Sequence, residues 1–301
     1  VLVGKADFGS GYEPDPEALA VEYHAKLLEL LPDAEPDAFE VEVWLNQSSV
    51  DLQAVVTRSG AAAPLSNDTS FAAVSLPWSP LEEMVHRVET LLNSAEYRAE
   101  VPIGRDIKVM GARNEDDARL TVAAPVMARA VQSRDEYNDV VAMVRKAATR
   151  LATDVFGDEV EVAVNQADSE ASEYLTLTGT SAEAGDDGQV GRGNRFGGLI
   201  TPYRPMSLEA AAGKNPAAHV GKTYHAVGHD IATRLIAETD ISEVTVRLLS
   251  SIGHPVTDPQ AAHVEVCGPH DEAHVAAVVK DSFEDWQGVR DRLIADEYEL
   301  F

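Results

Sequence analysis

Ile107-Lys-Val-Met-Gly-Ala112, then Asn114-Glu-Asp-Asp117, then Arg119-Leu-Thr-Val-Ala-Ala124 reads as a β-hairpin, two strand-forming runs joined by a polar turn. A helix is expected on each side of it. Upstream, Ser79-Pro80-Leu81-Glu82 has the spacing of a capping box and opens a helix to about Leu92. Downstream, Ser133-Arg134-Asp135-Glu136 does the same for a helix reaching Val155. The grouping recurs further out. Asp15-Pro16-Glu17 starts a helix to about Leu31, with strands expected at Val41-Glu-Val-Trp-Leu45 and Ala54-Val-Val56. Val160–Val164 and Tyr174–Thr178 read as another strand pair. A glycine-rich stretch follows from Gly185 to Gly213, then a helix over His219–Glu238, strands at Val244–Leu249 and His263–Val266, and a polar helical C-terminal region. A repeated helix–strand–strand order predicts an α+β fold, built of modules in which helices pack on one face of a mostly antiparallel sheet. The expected modules are residues 1–66 (the remnant of a first), 67–183, and 184–301 with its glycine-rich loop region, their boundaries interleaved. The repetition is architectural, with no repeat at the level of residues.

The chain has 301 residues, enough for two or three such modules. Hydrophobic residues make up 45% and are spread periodically, which argues against global disorder. No run of 18 apolar residues and no basic-then-apolar leader is present, so neither a membrane span nor a signal peptide is expected. Asp and Glu number 51 against 24 Lys and Arg, a net charge of −27, and only seven of the cations are lysines. Such a surface repels nucleic acid and stays dissolved in concentrated salt, which points to a cytoplasmic protein of a salt-loving organism, the alternative being an acidic protein of a mesophile. Cys267 is the single cysteine, so an internal disulfide or a cysteine-based zinc site within this stretch is excluded.

Against that background one segment reverses sign. Gln189 to Tyr224 carries five basic residues (Arg192, Arg195, Arg204, Lys214, Lys222) and one acid, Glu209, where the chain average would place about six acids. Salt-bridge partners for nearby carboxylates would account for it. The accompanying glycines at 191, 193, 197, 198, 213 and 221 favour instead a cradle for phosphate, since bare backbone can approach an anion closely. Lys214 is expected there as a solvent-exposed anion contact. Gly185-Asp-Asp-Gly188, just before the island, either is an ordinary acidic turn or supplies the carboxylate that Mg²⁺ needs to bridge to phosphate. Common nucleotide motifs fail. Gly221-Lys222-Thr223 ends like a Walker A loop but has Pro216 where the first glycine is required, and Gly191-Arg-Gly193 meets Phe196 at the third glycine of G-x-G-x-x-G. His225 and His229 are four apart on the expected helix, and without a H-E-x-x-H pattern they read as a packed or surface pair.

Taken together, Gly185-Asp-Asp-Gly-Gln-Val-Gly-Arg-Gly-Asn-Arg195, Gly198-Leu-Ile-Thr-Pro202, Arg204-Pro-Met-Ser-Leu-Glu209, Ala212-Gly-Lys-Asn-Pro216 and His219-Val-Gly-Lys222 closely resemble the archaeal type of S-adenosylmethionine synthetase (methionine adenosyltransferase). Asn67-Asp-Thr-Ser-Phe71, Asp106-Ile-Lys-Val-Met-Gly111, Tyr174–Glu183 and Ser251-Ile-Gly253 add to the likeness, which runs from about Val41 to Pro255. The resemblance implies three similar α+β modules in a cytoplasmic homodimer of a halophilic archaeon, with active sites at the subunit interface and neither nucleic acid nor membrane as a partner. It implies that ATP and L-methionine are the substrates and S-adenosylmethionine, phosphate and diphosphate the products, with Mg²⁺ as the divalent ion and K⁺ as a candidate monovalent ion. Lys108, Arg192 and Lys214 resemble the catalytic triphosphate-binding residues. Asp186 resembles a metal-side carboxylate, and Asp68 a nucleoside or methionine contact. Arg195 and Lys222 lie in matching motifs, and Asn46-Gln47-Ser48-Ser49-Val50-Asp51 resembles the ATP-contacting G-Q-G-S-V-D loop.

Departures from the family pattern are also legible. Asn46 and Ser48 replace two glycines of that loop, Ala72-Ala73-Val74-Ser75 stand where the family continues G-V-G-Y, and Ala218 and His225 occupy positions where Asn is usual. The family's N-terminal G-H-P-D segment, with its catalytic histidine and metal-binding aspartate, has no match and is expected upstream of Val1. The alternative reading is a non-catalytic paralogue that binds ATP or S-adenosylmethionine or regulates a complete subunit.

Overall fold

The expected helix starts rest on caps that form. Asp15 Oδ1 accepts from the Glu17 and Ala18 amides and opens α1 (Pro16–Leu30). Ser79 and Glu82 close both halves of a capping box at the start of α2 (Pro80–Asn93). Ser133 caps α4 (Arg134–Phe156), but there Glu136 reaches one residue further back, to the Gln132 amide. A short α3 (Ala95–Glu100) follows Ser94, which caps it through the Tyr97 amide. The computed structural model describes residues 2–5, 14–46, 63–157, 159–184 and 195–300. The expected strand at 54–56 lies outside the described residues.

The chain divides into two compact units, one drawn from Val1–Gln47 with Ser79–Gly188 and the other from Ser48–Trp78 with Gln189–Phe301. In the first, β1 (Leu2–Lys5) runs parallel to β2 (Val43–Asn46). The hairpin forms as β4 (Lys108–Asn114) and β5 (Asp117–Ala123), with Glu115 in the left-handed region at its turn. Leu120 and Val122 of β5 point inward onto α2 and α4, whose Met84, Val88, Val140, Val144 and Ala148 complete this core. A Cβ on Gly111 would lie 2.5 Å from Val85 Cγ2, so the bare backbone of β4 is what lets α2 lie against it.

One expected pairing is corrected. β7 (Glu161–Val164) does not pair with the 174–178 strand. It runs parallel to β5, while β8 (Leu175–Thr176) runs parallel to β6 (Val126–Met127). The reason lies at Asn165, in the left-handed region at φ 50°. Its side chain bonds both the amide and the carbonyl of Ala124, at 2.8 and 2.9 Å. Tyr137 on α4 then gathers the following loop, since its hydroxyl donates to Asp168 and accepts from Asn165 Nδ2 and the Tyr174 amide. The chain is thereby led out of the sheet instead of folding back on it.

In the second unit β3 (Phe71–Leu76), β9 (Glu243–Leu249) and β10 (Ala261–Cys267) form an antiparallel sheet in the order β10-β9-β3. Val244, Val246 and Leu248 alternate inward onto α5 (Val220–Glu238). Two further helices, α6 (Glu272–Glu284) and α7 (Trp286–Ile294), add Val278, Phe283, Trp286 and Val289 to the same core. Both units are therefore α+β, with helices on one face of sheets whose long ladders are antiparallel.

Candidate functional site

Of the described cations of the basic island, Arg204 donates to the Pro77 carbonyl, whereas Lys214 and Lys222 lie at the N-terminal end of α5. That end is capped by an imidazole: the Gly221 amide donates to His219 Nδ1 at 3.1 Å. Burial, reinforced by the Lys214 charge, holds His219 below its ordinary pKa against the pull of Glu209 and Asp68. A neutral ring is what the cap requires, because Nδ1 must keep its lone pair to accept.

Lys214 and Lys222 converge on this end of the helix. Lys222, on the first turn of α5, is 9% exposed and has no ion-pair partner among the described residues. Burial and the neighbouring Lys214 charge hold its ammonium below the usual lysine range. Lys214 is not the solvent-exposed contact expected from the sequence. Only 15% of its side chain is exposed, and its Nζ pairs with Glu209 Oε2 at 3.0 Å. The other carboxylate oxygen of Glu209 accepts from Ser70 Oγ at 2.6 Å. Burial works to raise Glu209, but these two bonds outweigh it and keep the carboxyl below its ordinary range.

Asp68 lies in the stretch before β3, exposed, with its carbonyl accepting from Ser250 Oγ and its charge acting on His219. Beside it, the buried Asn67 Oδ1 has no hydrogen-bond partner among the described residues. Arg195 is 4% exposed, donates from Nε to the Ser207 carbonyl at 3.0 Å and forms an antiparallel bridge with Ala210. Here it braces the loop that carries Glu209 and Lys214. Thus the charges of Asp68, Lys214 and Lys222, apart in sequence by up to 154 positions, act together on His219 at one helix end, and that of Arg195 acts on His225 in the same helix.

His225 and His229 do not form a metal site. His225 is buried, its Nδ1 donates to the Gly221 carbonyl at 2.8 Å, and Phe196 stacks on its ring. Burial pushes its pKa down to about 4. Among the described residues no group of three His, Cys, Asp or Glu could hold a metal ion.

In the other unit Lys108 begins β4 with its side chain about half exposed, and its Nζ bonds Asp106 Oδ2 at 2.6 Å. The same oxygen accepts from Tyr174 at 2.8 Å and from Ser181. Burial tends to raise Asp106, yet these donors hold it below the usual carboxylate range. Asp106, Tyr174 and Ser181 lie in the stretches that resemble the family but receive no role from the sequence, although an acid two residues before a strand lysine shares its face. Asn46 ends β2, exposed. Gln47, Ser48, Ser49, Val50, Asp51, Asp186 and Arg192 lie outside the described residues.

Known proteins are similar to this chain in sequence and in fold. The family model of S-adenosylmethionine synthetase (AdoMet synthetase) matches residues 18–297. The S-adenosylmethionine synthase of Pyrobaculum neutrophilum is 46% identical over 238 residues, 77% of this chain and 59% of that protein. That of Methanococcus aeolicus is 42% identical over 277 residues, 89% of this chain and 68% of that protein. That of Haloquadratum walsbyi is 41% identical over 270 residues, 87% and 67%. The chain thus matches about three fifths to two thirds of the length of these relatives. Among solved structures, an unusual S-adenosylmethionine synthetase from Campylobacter jejuni superposes with a TM-score of 0.62 at 16% identity, covering 98% of this chain and 77% of that one, a likeness of fold.

Proposed function

Because the chain belongs to the S-adenosylmethionine synthetase family, we propose that it acts as a methionine adenosyltransferase, joining L-methionine to ATP to give S-adenosylmethionine. The methionine sulfur donates a lone pair to the ribose C5′, the C5′–O bond breaks, and triphosphate leaves with the electron pair. A thioether carries no proton, so the attack needs no general base. Water then cleaves the triphosphate to diphosphate and phosphate.

The observation that carries this reading is the convergence of Lys214 and Lys222 on the N-terminal end of α5, in a chain that has few lysines to place. Triphosphate leaves poorly until its charge is neutralised. Fixed cations and a helix N-terminus, aimed where that charge develops, stabilise it without reorganising. Asp68, whose charge acts on His219 at the same helix end, is proposed as a nucleoside or methionine contact. Lys108 and Arg192 are proposed as further triphosphate ligands, and the 46–51 loop as an ATP contact. Mg²⁺ held through Asp186 would supply additional charge neutralisation, with K⁺ as the monovalent ion. The described residues alone offer no cluster for a metal, so the derivation rests on the lysines. The same reading makes the protein a cytoplasmic homodimer with active sites between subunits. No described helix is long and apolar enough to cross a membrane.

Lys222→Met tests the reading in the full-length natural protein. Removing a buried ammonium that has no ion-pair partner among the described residues should leave the melting temperature unchanged or higher. Formation of S-adenosylmethionine from ATP and methionine, followed by chromatography, should fall by roughly a hundredfold or more. Wild-type turnover in the variant would remove Lys222 from the site. A wild type that binds ATP but forms no product would turn the reading to the non-catalytic paralogue.

A further inference from the structure

Glu209 is the only acid between Gln189 and Tyr224, and it stands inside the lysine cluster. Both carboxylate oxygens are engaged, one by Ser70 Oγ and the other by Lys214 Nζ. The group lies so close over the first turn of α5 that a methyl on Gly221 would come within 2.7 Å of Oε2 and 3.0 Å of Lys214 Cε. The positive end of a helix beside two lysines is where an anion is favoured. Here the protein has put one of its own. A largely enclosed Lys214 ammonium would be costly without a counter-charge, and Glu209 supplies it.

A triphosphate held at the same cations brings a second anion to Lys214, and like charges a few ångströms apart disfavour each other. Resting on the reading of this cluster as a triphosphate site, we propose that Glu209 is a further residue of that site: an internal counter-anion that the triphosphate displaces from Lys214. It sets how tightly the triphosphate is held. The exchange moves an ion pair and breaks no covalent bond. Lys214 is paired before and after it.

Isothermal titration of the full-length natural protein with inorganic tripolyphosphate, at fixed salt, tests this. Glu209→Gln keeps the side-chain shape and an acceptor for Ser70 but removes the charge. Its affinity for tripolyphosphate should rise at least tenfold, about 1.4 kcal/mol, while its melting temperature without tripolyphosphate falls. Ser70→Ala leaves both charges and removes only the hydroxyl that holds Glu209, so affinity should rise in the same sense by about twofold or more. Equal or weaker binding by Glu209→Gln, with a native circular dichroism spectrum, overturns the proposal. Should that variant not fold, equal or weaker binding by Ser70→Ala does so. A wild type that binds no tripolyphosphate ends the triphosphate reading of the cluster and this proposal with it, a result seen before any variant is made.

Discussion

His225 is enclosed on every side within the first half of α5, and its proton equilibrium is a property of the fold. Its pKa of about 4 lies below the ~6.5 of an unfolded histidine. As pH falls, the unfolded chain takes up this proton first. The contribution of His225 to stability is therefore constant above about pH 6.5, declines below it, and levels off near pH 4. His219 and His229 are shifted in the same direction, each chiefly by burial, and steepen the decline. Asp106, Glu183 and Glu209 are held low by their donors, so their contribution is lost only as pH falls through the lower carboxylate range. The second window begins where the first ends, at about pH 4 to 5. His225→Gln should lower stability at pH 7 yet flatten the loss between pH 6.5 and 5, where the wild type loses about 2 kcal/mol to this residue alone. Urea midpoints across that range check it, and an unchanged slope would mean that His225 is not the titrating group. At this scale the sequence revealed the cations but not their company. The charge reversal and the matched motifs marked Lys214 and Lys222, whereas Ser70, the hydroxyl that fixes Glu209, lies 139 residues away with no local signal. Burial of Lys214 was equally invisible, because it depends on the loop braced by Arg195.

The helix that carries the cluster is positioned by its middle. A Cβ on Gly228 of α5 would lie 3.2 Å from Val74 Cγ2 on β3 and 3.7 Å from Val246 Cγ1 on β9. Glycine at that point sets how closely helix and sheet approach, at the expense of helix propensity. Gly228→Ala gains about 1 kcal/mol of propensity against a contact that must give slightly, so its net effect is small. Gly228→Leu cannot be accommodated that way and should cost about 1–3 kcal/mol by overpacking, read as a lower urea midpoint at unchanged m-value. A leucine tolerated without loss would show that α5 does not rest on this contact. The elements most legible in sequence were those with a local mechanism: caps at Asp15, Ser79 and Ser133, and the polar turn at 114–117. Those missed are held by partners. Phe71-Ala-Ala-Val-Ser-Leu76 is rich in alanine, a weak strand former, and is a strand because six of its residues register against β9. Of the 174–178 segment only Leu175–Thr176 is a strand, and its neighbour is β6, since Asn165 and Tyr137, not strand propensity, decide where it goes.

Over the whole molecule, 51 acids face 24 basic residues, and the described ion pairs are mostly exposed, with little stabilisation to expect from each. The surplus of 27 negative charges therefore acts as a diffuse repulsion that unfolding relieves by separating the charges. Screening by salt weakens it without loosening the two apolar cores, because burial does not depend on Coulomb forces. The Debye length falls from about 10 Å at 0.1 M to about 3 Å at 1 M. The melting temperature should consequently rise steeply with KCl up to about 1 M and then more gently, as screening is completed and only the strengthening of apolar burial continues. A thermal melt series from 0.05 to 3 M KCl checks the shape of that curve. A straight rise through the whole range, with no early steep phase, would assign the effect to burial and leave the acid surplus without a stability cost.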